Sequence, residues 1–530
     1  MVSCDQDFSA WGPAVHIKHI RRSLRFSSAM ISAIAVAICW PTVSLGADGA
    51  HDDSSGHEAH DDQGHGPIDM SPQAAEVPFD PSAFRSDPDY ADKPYDPQAQ
   101  IDIYGGKHMN PTARPLFEWG RELFQYGAFR PAPTLLGETN PMYPQVLIYG
   151  DYRTAVAYND KGLAEQATWA HRLNLEVDAR LTGTERVHAF FRPLDKDGKF
   201  TRLDFGGENH EFEDEIDGNV DALFFEGDLG SLLAGFSGTQ SRLDIPVAAG
   251  LIPLLFQNGV WVEDAFTGFA FTIPARNSRS LDISNMDVTF FFGFDRVTTG
   301  AVPGIDAARI FGVTAFIESM QGYWELGYGY TDDKQGLDRN YHNMTAAFTR
   351  RYFHRISNSI RVIANVGQDP DTGVVQTADG VIFLIENSLI TSLPSTLVPY
   401  VNLFFGFDRP QSLARDGGAG GILKNTGINF ESDGLTGFPT LDATGADTYG
   451  LAAGIEYLFN LDQQLVVEFA TVQVRGDVAD RFAPGAQYAF GVRYQRPINN
   501  RMILRVDGMW GWLEDLEEIQ GIRFEFRWKF

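Results

Sequence analysis

The chain has 530 residues, a formal net charge of −28 at pH 7 and two cysteines. Such acidity disfavours nucleic acid as a partner, because binding to a phosphate backbone requires clustered cations. Although 43% of the residues are hydrophobic, those after residue 46 occur in short alternating runs, so no later stretch is a candidate for a transmembrane helix.

Residues 1–46 have the layout of a secretory signal peptide. A basic segment that includes Lys18 and Arg25 precedes the apolar run 30–40, and the small residues of Ser44-Leu45-Gly46 suit a cleavage site. The apolar run is too short to cross a bilayer as a helix. Cleavage would remove both cysteines, four basic residues and two acidic ones, so the mature charge would be −28 − 2 = −30.

Residues 47–113 are predicted to form a disordered periplasmic lead-in, because they are rich in His, Asp and Pro and have little apolar clustering. Imidazoles interleaved with carboxylates can bind Zn²⁺, Cu²⁺ or Ni²⁺ weakly. The candidate ligands are His51, His57, His60 and His65. The irregular spacing of these histidines favours the alternative, a solvated tail without a specific ion.

Residues 114–145 are predicted to form a short helix and a connector at the periplasmic mouth. Leu116, Phe117, Leu123 and Phe124 are spaced as on one side of an amphipathic helix.

From residue 146 onward, short turns alternate with long polar connections rich in Gly and Asp. Outer-membrane barrels have tight periplasmic turns and long external loops, so the pattern predicts an all-β fold, a single transmembrane antiparallel up-and-down β-barrel over 146–530. The alternating segments give about 18 strands, with 16 as the alternative, and include strands at 186–203, 220–229, 230–239 and 265–274.

The last ten residues give the clearest strand pattern. Every second residue is apolar or aromatic: Ile522, Phe524, Phe526, Trp528 and Phe530. The charged residues between them face the other way, so the strand needs lipid on one side and water on the other. This pattern, with its C-terminal Phe, resembles the closing strand of Gram-negative outer-membrane β-barrels. The resemblance implies that barrel-insertion machinery reads this strand; an ordinary edge strand is the alternative.

Polar side chains alternate with apolar ones on several other strands and are expected to face the barrel interior, because an Arg facing lipid at mid-depth costs roughly 2–4 kcal/mol. The candidate pore-lining residues are Arg172, Glu176, Arg180, Arg350, Arg361, Arg493, Arg505, Arg523, Glu525 and Arg527. A barrel of this strand number is too wide for side chains to fill. Its polar interior would therefore hold water, and the barrel would be a channel unless something plugs it.

Segment 248–265 is unusually apolar for an external position. It either folds into the barrel mouth as a constriction or forms another hairpin around Gln257-Asn258-Gly259, since Asn-Gly favours a tight turn. Residues 204–228 contain ten acidic side chains and no Lys or Arg. They are expected to be a hydrated external loop, with weak binding of divalent cations as the alternative.

No catalytic motif was found: the sequence has no G-x-S-x-G, no Walker loop and no C-x-x-C-H, so an enzyme is not expected. Region 146–530 is similar in architecture to porin-like and alginate-export-like barrels. The resemblance implies an outer-membrane channel for small polar or anionic solutes, such as sugars or oligosaccharides, in contact with outer-membrane lipid and lipopolysaccharide, without a resident cofactor. The alternatives are a barrel in a metal-handling or electron-transfer system and a closed structural surface barrel.

Overall fold

The computed structural model describes residues 114–120 and 133–530, apart from 163–164, 197, 206–209, 305, 395, 432–433, 460–462, 477 and 479–480. The predicted signal peptide, the lead-in and the four candidate metal ligands His51, His57, His60 and His65 lie outside the described residues.

The described chain is almost entirely β-structure. The first strands are β1 (Phe117–Gly120), β2 (Gln145–Asp160), β3 (Glu165–Arg180), β4 (Arg186–Phe191), β5 (Asp195–Lys196), β6 (Lys199–Phe200), β7 (Arg202–Asp204), β8 (Glu211–Glu213) and β9 (Val220–Asp228). A helix, α1 (Leu229–Ser237), comes next. It is followed by β10 (Pro246–Phe256), β11 (Val262–Ser278), β12 (Ile283–Val297), β13 (Ala308–Ser319), β14 (Gly322–Asp333), β15 (Tyr341–Tyr352) and β16 (Ile356–Val366).

The remaining strands are β17 (Val381–Leu389), β18 (Leu397–Phe407), β19 (Ala414–Arg415), β20 (Thr448–Phe459), β21 (Gln463–Val474), β22 (Gln487–Pro497), β23 (Met502–Leu513) and β24 (Ile519–Lys529). Short 3₁₀ helices occur at Arg279–Leu281, Gly417–Ala419 and Lys424–Thr426.

Antiparallel pairing closes the sheet into a barrel. Among the described residues, eighteen strands form the wall: β2, β3, β4, β9 to β18 and β20 to β24. Each of them pairs with the next strand in this order. The seam joins β24 to β2, from Asp151 opposite Lys529 to Asp160 opposite Gln520. The predicted barrel and strand number are therefore confirmed.

The outer surface of the barrel is apolar and aromatic. Stacked ring pairs such as Phe269 with Phe292, at 4.6 Å, and Phe271 with Phe290, at 5.0 Å, line its outward face. Large side chains such as Phe524, which is 51% exposed, would be unfavourable in water but suit a hydrocarbon phase. The barrel exterior is that of an integral outer-membrane protein. No helix in the described part of the chain has the length and hydropathy needed to span a membrane.

Region 186–264 differs from the prediction in three places. The predicted strand at 230–239 is instead helix α1, whose N-terminus is capped by the Asp228 side chain accepting from the Ser231 N–H at 2.6 Å. A wall strand occurs at β10, which pairs with β9 and β11. The strand predicted at 186–203 is broken: β4 ends at Phe191, and β7 then pairs with the upper part of β3.

The helix predicted within 114–145 is also wrong for Phe117–Gly120, which form β1. This strand pairs with the first four residues of β2, next to the point where β24 ends. Phe530 exchanges backbone hydrogen bonds with Gly150, so β1 continues the line of β24 along β2. Sheet pairing at the seam overrides the local helical pattern.

Candidate functional site: the barrel interior

The barrel interior is partly filled by the connection between β18 and β20, residues 408–447, called here the inserted loop. Its polar contacts are with inward-facing wall residues: Asn365 accepts from the Gln411 N–H at 2.7 Å, and Asn402 Nδ2 donates to the Thr426 carbonyl at 2.7 Å. On the other side, Asn159 Nδ2 donates to the Thr436 carbonyl at 2.8 Å. The inserted loop is therefore fixed to the wall at several strands.

Glu468 on β21 attaches the inserted loop to the wall through several hydrogen bonds. Its carboxylate is fully buried and accepts from the backbone N–H groups of Ile428 and Asn429, at 3.0 and 2.9 Å. The Tyr400 hydroxyl also donates to it, at 2.5 Å. A buried carboxylate is stable only when its oxygens are satisfied in this way, so Glu468 positions the loop segment that carries Glu431.

The hairpin of β10 and β11 also reaches inward. Its turn at 257–261 has positive φ at Gln257, Asn258 and Gly259, as a tight turn requires. Trp261 is fully buried and donates from Nε1 to Asn343 Oδ1 on β15 at 2.8 Å. Both readings of segment 248–265 thus apply, since it is a hairpin whose tip folds into the barrel.

The hairpin tip and the inserted loop share one apolar cluster. Leu413, Leu423 and Phe430 of the loop are fully buried in it, together with Trp261. The facing strand β14 has glycine where these side chains approach. A Cβ at Gly327 would lie 2.7 Å from a ring atom of Trp261, and one at Gly329 would lie 2.3 Å from Leu413. The wall is therefore shaped to receive the cluster.

The inner faces of β22, β23, β24, β2 and β3 carry a row of arginines, called here the arginine arc. At its centre lies Asp507, which is 4% exposed. Its carboxylate accepts hydrogen bonds from Arg493 Nε at 2.7 Å, Arg505 Nε at 2.8 Å and Arg523 Nη2 at 2.7 Å. Asp507 is opposite Arg493 on β22 and Arg523 on β24, so the strand register brings these groups together.

The inserted loop adds a second carboxylate to this cluster. Glu431 Oε2 is 2.6 Å from Arg493 Nη1, and its Oε1 is 3.4 Å from Arg505 Nη2. Burial alone would raise the pKa of Glu431, but Arg493 and Arg505 lower the pKa of this carboxyl below its ordinary value.

Toward the periplasmic end, the arginine arc continues around Asp151 on β2. Arg527 makes a bidentate pair with it, with both N···O distances at 2.9 Å, and Arg153 Nε also lies 2.9 Å from Asp151 Oδ2. Arg172 on β3 donates to Asn174 at 3.0 Å and lies over the Phe200 ring at 5.5 Å.

Strands β14 to β21 form a second arc with mainly acidic inner groups, called here the glutamate arc. Arg361 is 2% exposed and lies between Glu325, at 3.7 Å, and Glu386, at 3.3 Å. A cavity of about 510 Å³ lies between this arc and the inserted loop, and its lining includes Glu386, Glu456 and, on the far side, Arg493.

The strand register determines where the predicted lining residues lie. All but one have inward-facing positions in the described strands; these are Arg172, Glu176, Arg180, Arg361, Arg493, Arg505, Arg523, Glu525 and Arg527. Arg523 and Arg361 are buried, whereas Arg180 is at the exposed periplasmic end of β3. Their function in solute passage remains a prediction.

Arg350 is the exception and corrects the predicted set. It shares a face of β15 with Phe348, whose ring lies 4.5 Å from Trp324 on the outer surface. Arg350 Nη2 donates to Gln321 in the adjacent turn at 2.7 Å, and its guanidinium lies over the Tyr352 ring. Arg350 therefore lies on the outer surface near the end of its strand, where its guanidinium can reach lipid headgroups.

On the closing strand, Ile522, Phe524 and Trp528 are exposed on the outward face, and Phe526 and Phe530 lie on the same face with partial exposure. Within the described residues, no group of three His, Cys, Asp or Glu side chains is placed to hold a metal ion. In the acidic segment, Glu213 pairs with Arg202 at 2.9 Å, so part of its charge is compensated.

Sequence reasoning missed Glu431 and the inward position of its loop. The available signal was the set of apolar residues in a connection predicted to be external, which includes Leu413, Ile422, Leu423 and Phe430. Arg153 and Asp151 were also missed, because their strand has few other charges to mark its inner face.

No family model and no curated protein matches the chain. Solved structures similar to it include three from Pseudomonas aeruginosa. OccK7 (OpdD) has 10% identity and a TM-score of 0.47 over 73% of this chain and 98% of that chain. OpdO has 10% identity and a TM-score of 0.46, covering 73% and 97%. The outer membrane protein OpdK has 11% identity and a TM-score of 0.45, covering 73% and 98%.

Proposed function

We propose that the protein is an outer-membrane channel for small polar solutes, with a preference for anions. The observation that carries this proposal is the arginine arc, where Arg493, Arg505 and Arg523 surround Asp507, and Arg493 also lines the cavity of about 510 Å³. These groups carry a formal charge of 3 − 1 = +2 before the inserted loop adds Glu431. A cluster of this sign raises the local concentration of anions.

The size of the interior is consistent with small solutes. The cavity of about 510 Å³ is comparable to sites that hold small molecules, which span roughly 300–1,000 Å³. Its lining combines amide and hydroxyl groups, such as Asn387 and Thr349, with charged groups of both signs: Arg493, Lys424, Glu386, Glu431 and Glu456. Sugars and carboxylates are solutes that such groups can bind by hydrogen bonds and ion pairs.

Single-channel recording in planar bilayers tests the proposal. We expect the refolded protein to conduct, with a reversal potential in a KCl gradient that favours chloride. Arg505→Gln should reduce this preference, because Arg505 is partly exposed and contacts Glu431 at the cavity boundary, whereas Arg350→Gln on the outer surface should leave it unchanged. A reversal potential that favours potassium would contradict the proposal.

One alternative has a specific observation in its favour. The inserted loop and the hairpin tip pack a dense apolar cluster inside the barrel, which supports a closed surface barrel. Absence of conductance from correctly folded protein would favour that function. The proposed reading of the C-terminal strand by insertion machinery can be tested separately by deleting Phe530 and measuring assembly in cells.

A further inference from the structure

Glu431 has an unusual position for a charged loop residue. Its carboxylate bridges Arg493 and Arg505, the two members of the central arginine cluster that are partly exposed, at 15% and 18% of their side-chain surface. Asp507 already pairs with both of them. Glu431 is thus a second anion placed where these guanidinium groups still have donors to offer.

Glu431 also lies at the boundary between two spaces. It lines both the cavity of about 510 Å³ and a small cavity of about 10 Å³ that extends to Asp507 and Arg523. The two cavities share Ile428, Glu431 and Arg493 in their linings. Withdrawal of the Glu431 side chain would therefore open a path from the larger cavity to the buried arginines.

We propose that Glu431 is a built-in competitor: its carboxylate occupies an anion site on Arg493 and Arg505, and the carboxylate of a solute exchanges with it. This inference rests on the proposed function as an anion-preferring channel. The exchange needs no new cations, because one carboxylate leaves the guanidinium groups as another arrives. Glu468 holds the adjacent backbone of Ile428 and Asn429, so the exchange requires movement of the Glu431 side chain only.

Benzoate binding to the refolded full chain tests the exchange, with sodium benzoate titrated by calorimetry in detergent. Glu431→Gln removes the competing charge, so we expect benzoate to bind about tenfold more tightly than to wild type. Glu456→Gln is the matched control, because Glu456 lines the same cavity but contacts Gln464 rather than an arginine. It should change the affinity less than twofold.

Equal or weaker benzoate binding by Glu431→Gln would overturn the inference, as would an equal gain in both variants, which would indicate a general charge effect. If Glu431→Gln does not refold, as judged by heat-modifiable migration in gels, Glu431→Asp replaces it, and its shorter side chain should give a smaller gain of the same sign. Failure of the proposed function has a different signature, a cation preference in wild-type bilayer recordings, and can be distinguished from these results.

A separate feature concerns the periplasmic rim. Helix α1 and residues 133–143 pack on the outer side of the barrel there, because Asn140 Nδ2 donates at 2.7 Å to Glu185, which is 1% exposed. Glu185 is opposite Leu181 in the β3–β4 turn, and both belong to the outward-facing register. Gly137 and Gly235 bring the two segments into backbone contact.

These two segments and the connection that follows α1 expose apolar side chains that nothing in the described chain covers. The rim patch consists of Leu135, Leu229, Leu233, Phe236 and Leu243, all at least 40% exposed. Leu229, Leu233 and Phe236 have the i, i+4, i+7 spacing of one helix face, and residues 229–241 carry no charge. At the same end of the barrel, β1 places Phe117 and Trp119 on the outward side, as in an aromatic belt.

We infer that the rim patch lies in the periplasmic leaflet of the outer membrane, with phospholipid as its partner. The patch is continuous with the lipid-facing wall, and a charge-free helix face suits the boundary of headgroups and acyl chains. The long connection between β9 and β10 is then a membrane anchor rather than a turn in water.

Fluorescence quenching tests this placement in a Cys4→Ser, Cys39→Ser background refolded into phosphatidylcholine vesicles. An environment-sensitive dye on Leu233→Cys should be quenched by doxyl-labelled lipid at least half as strongly as one on Val401→Cys, a residue of the outward wall that is 42% exposed. Gln240→Cys, in the polar connection after α1, should respond to aqueous iodide instead. A Leu233 dye that behaves like the Gln240 dye would overturn the inference; Phe236→Cys repeats the test if Leu233→Cys misfolds.

Discussion

The charged groups of the arginine arc and of the glutamate arc have different contacts and different exposure. On the glutamate arc, Glu468 is fully buried and holds the inserted loop, while Arg361 is 2% exposed between two glutamates. On the arginine arc, Arg153 and Arg527 keep 26% and 32% of their side chains exposed beside Asp151. The charges of the glutamate arc stabilise the structure, whereas the exposed arginines of the arginine arc remain available to solutes. The contacts of a charge, rather than its presence, decide its role.

The largest effect is expected from Asp507→Asn, which would break the arrangement of the arginine arc. The substitution leaves Arg493, Arg505 and Arg523 without their shared carboxylate, and loss of one partner from a buried ion cluster costs about 3–5 kcal/mol. Urea unfolding of the refolded barrel, followed by circular dichroism, should show this loss. Glu456→Gln, whose partner is neutral, is the control and should cost less than about 1 kcal/mol. Equal stability of the two variants would contradict the cluster's importance.

A smaller effect is expected from Glu468→Leu, which tests whether the glutamate arc positions the loop. The backbone N–H groups of Ile428 and Asn429 would lose their acceptor, at a cost of about 1–3 kcal/mol that falls on the inserted loop. We expect higher single-channel conductance and faster protease cleavage within 408–447. Glu468→Gln retains one acceptor oxygen and should change both readouts less. An unchanged loop in Glu468→Leu would show that the apolar cluster alone fixes it.

The smallest effect is expected from Arg350→Gln, which tests whether an arginine outside the arginine arc contributes to stability or anion preference. Arg350 lies on the outer rim with Gln321 and Tyr352, so its substitution should change the free energy of unfolding by less than about 0.5 kcal/mol. Conductance and anion preference should be unchanged. A loss of anion preference comparable to that of Arg505→Gln would place Arg350 in the conducting path and contradict its outward position.

The sequence was sufficient to predict the barrel, because the period-two alternation of strands such as β24 and β3 is imposed by lipid on one side and water on the other. It was insufficient at 230–239, where an apolar run without charges fits a strand or a buried helix equally well. Strand β10 was predicted only as one arm of the alternative hairpin around 257–259, because Gly250 and Pro253 interrupt its pattern and both residues usually weaken a strand prediction.

The interior was predictable only in part. Alternation placed most lining arginines on the inner face, but Arg350 and Arg351 are adjacent, so one of them must face outward, and the neighbouring Phe348 determines which. The position of Glu431 depends on contacts between residues far apart in the chain, such as Glu468 with the N–H groups of 428–429. Local pattern carries no information about such contacts, and only the apolar residues of the inserted loop, such as Leu423 and Phe430, indicated that it does not lie in water.

The seam of the barrel has a consequence for assembly. Phe530 lies opposite Gly150 at the end of β24. Strand β1 continues the line of β24 along β2, because it pairs with Gln145–Ile148. One edge of β2 is therefore paired with two strands that lie far apart in the sequence, β1 and β24. This edge of the wall is completed only after β24 has docked on β2, and until then the peptide groups along that edge of β2 are unpaired.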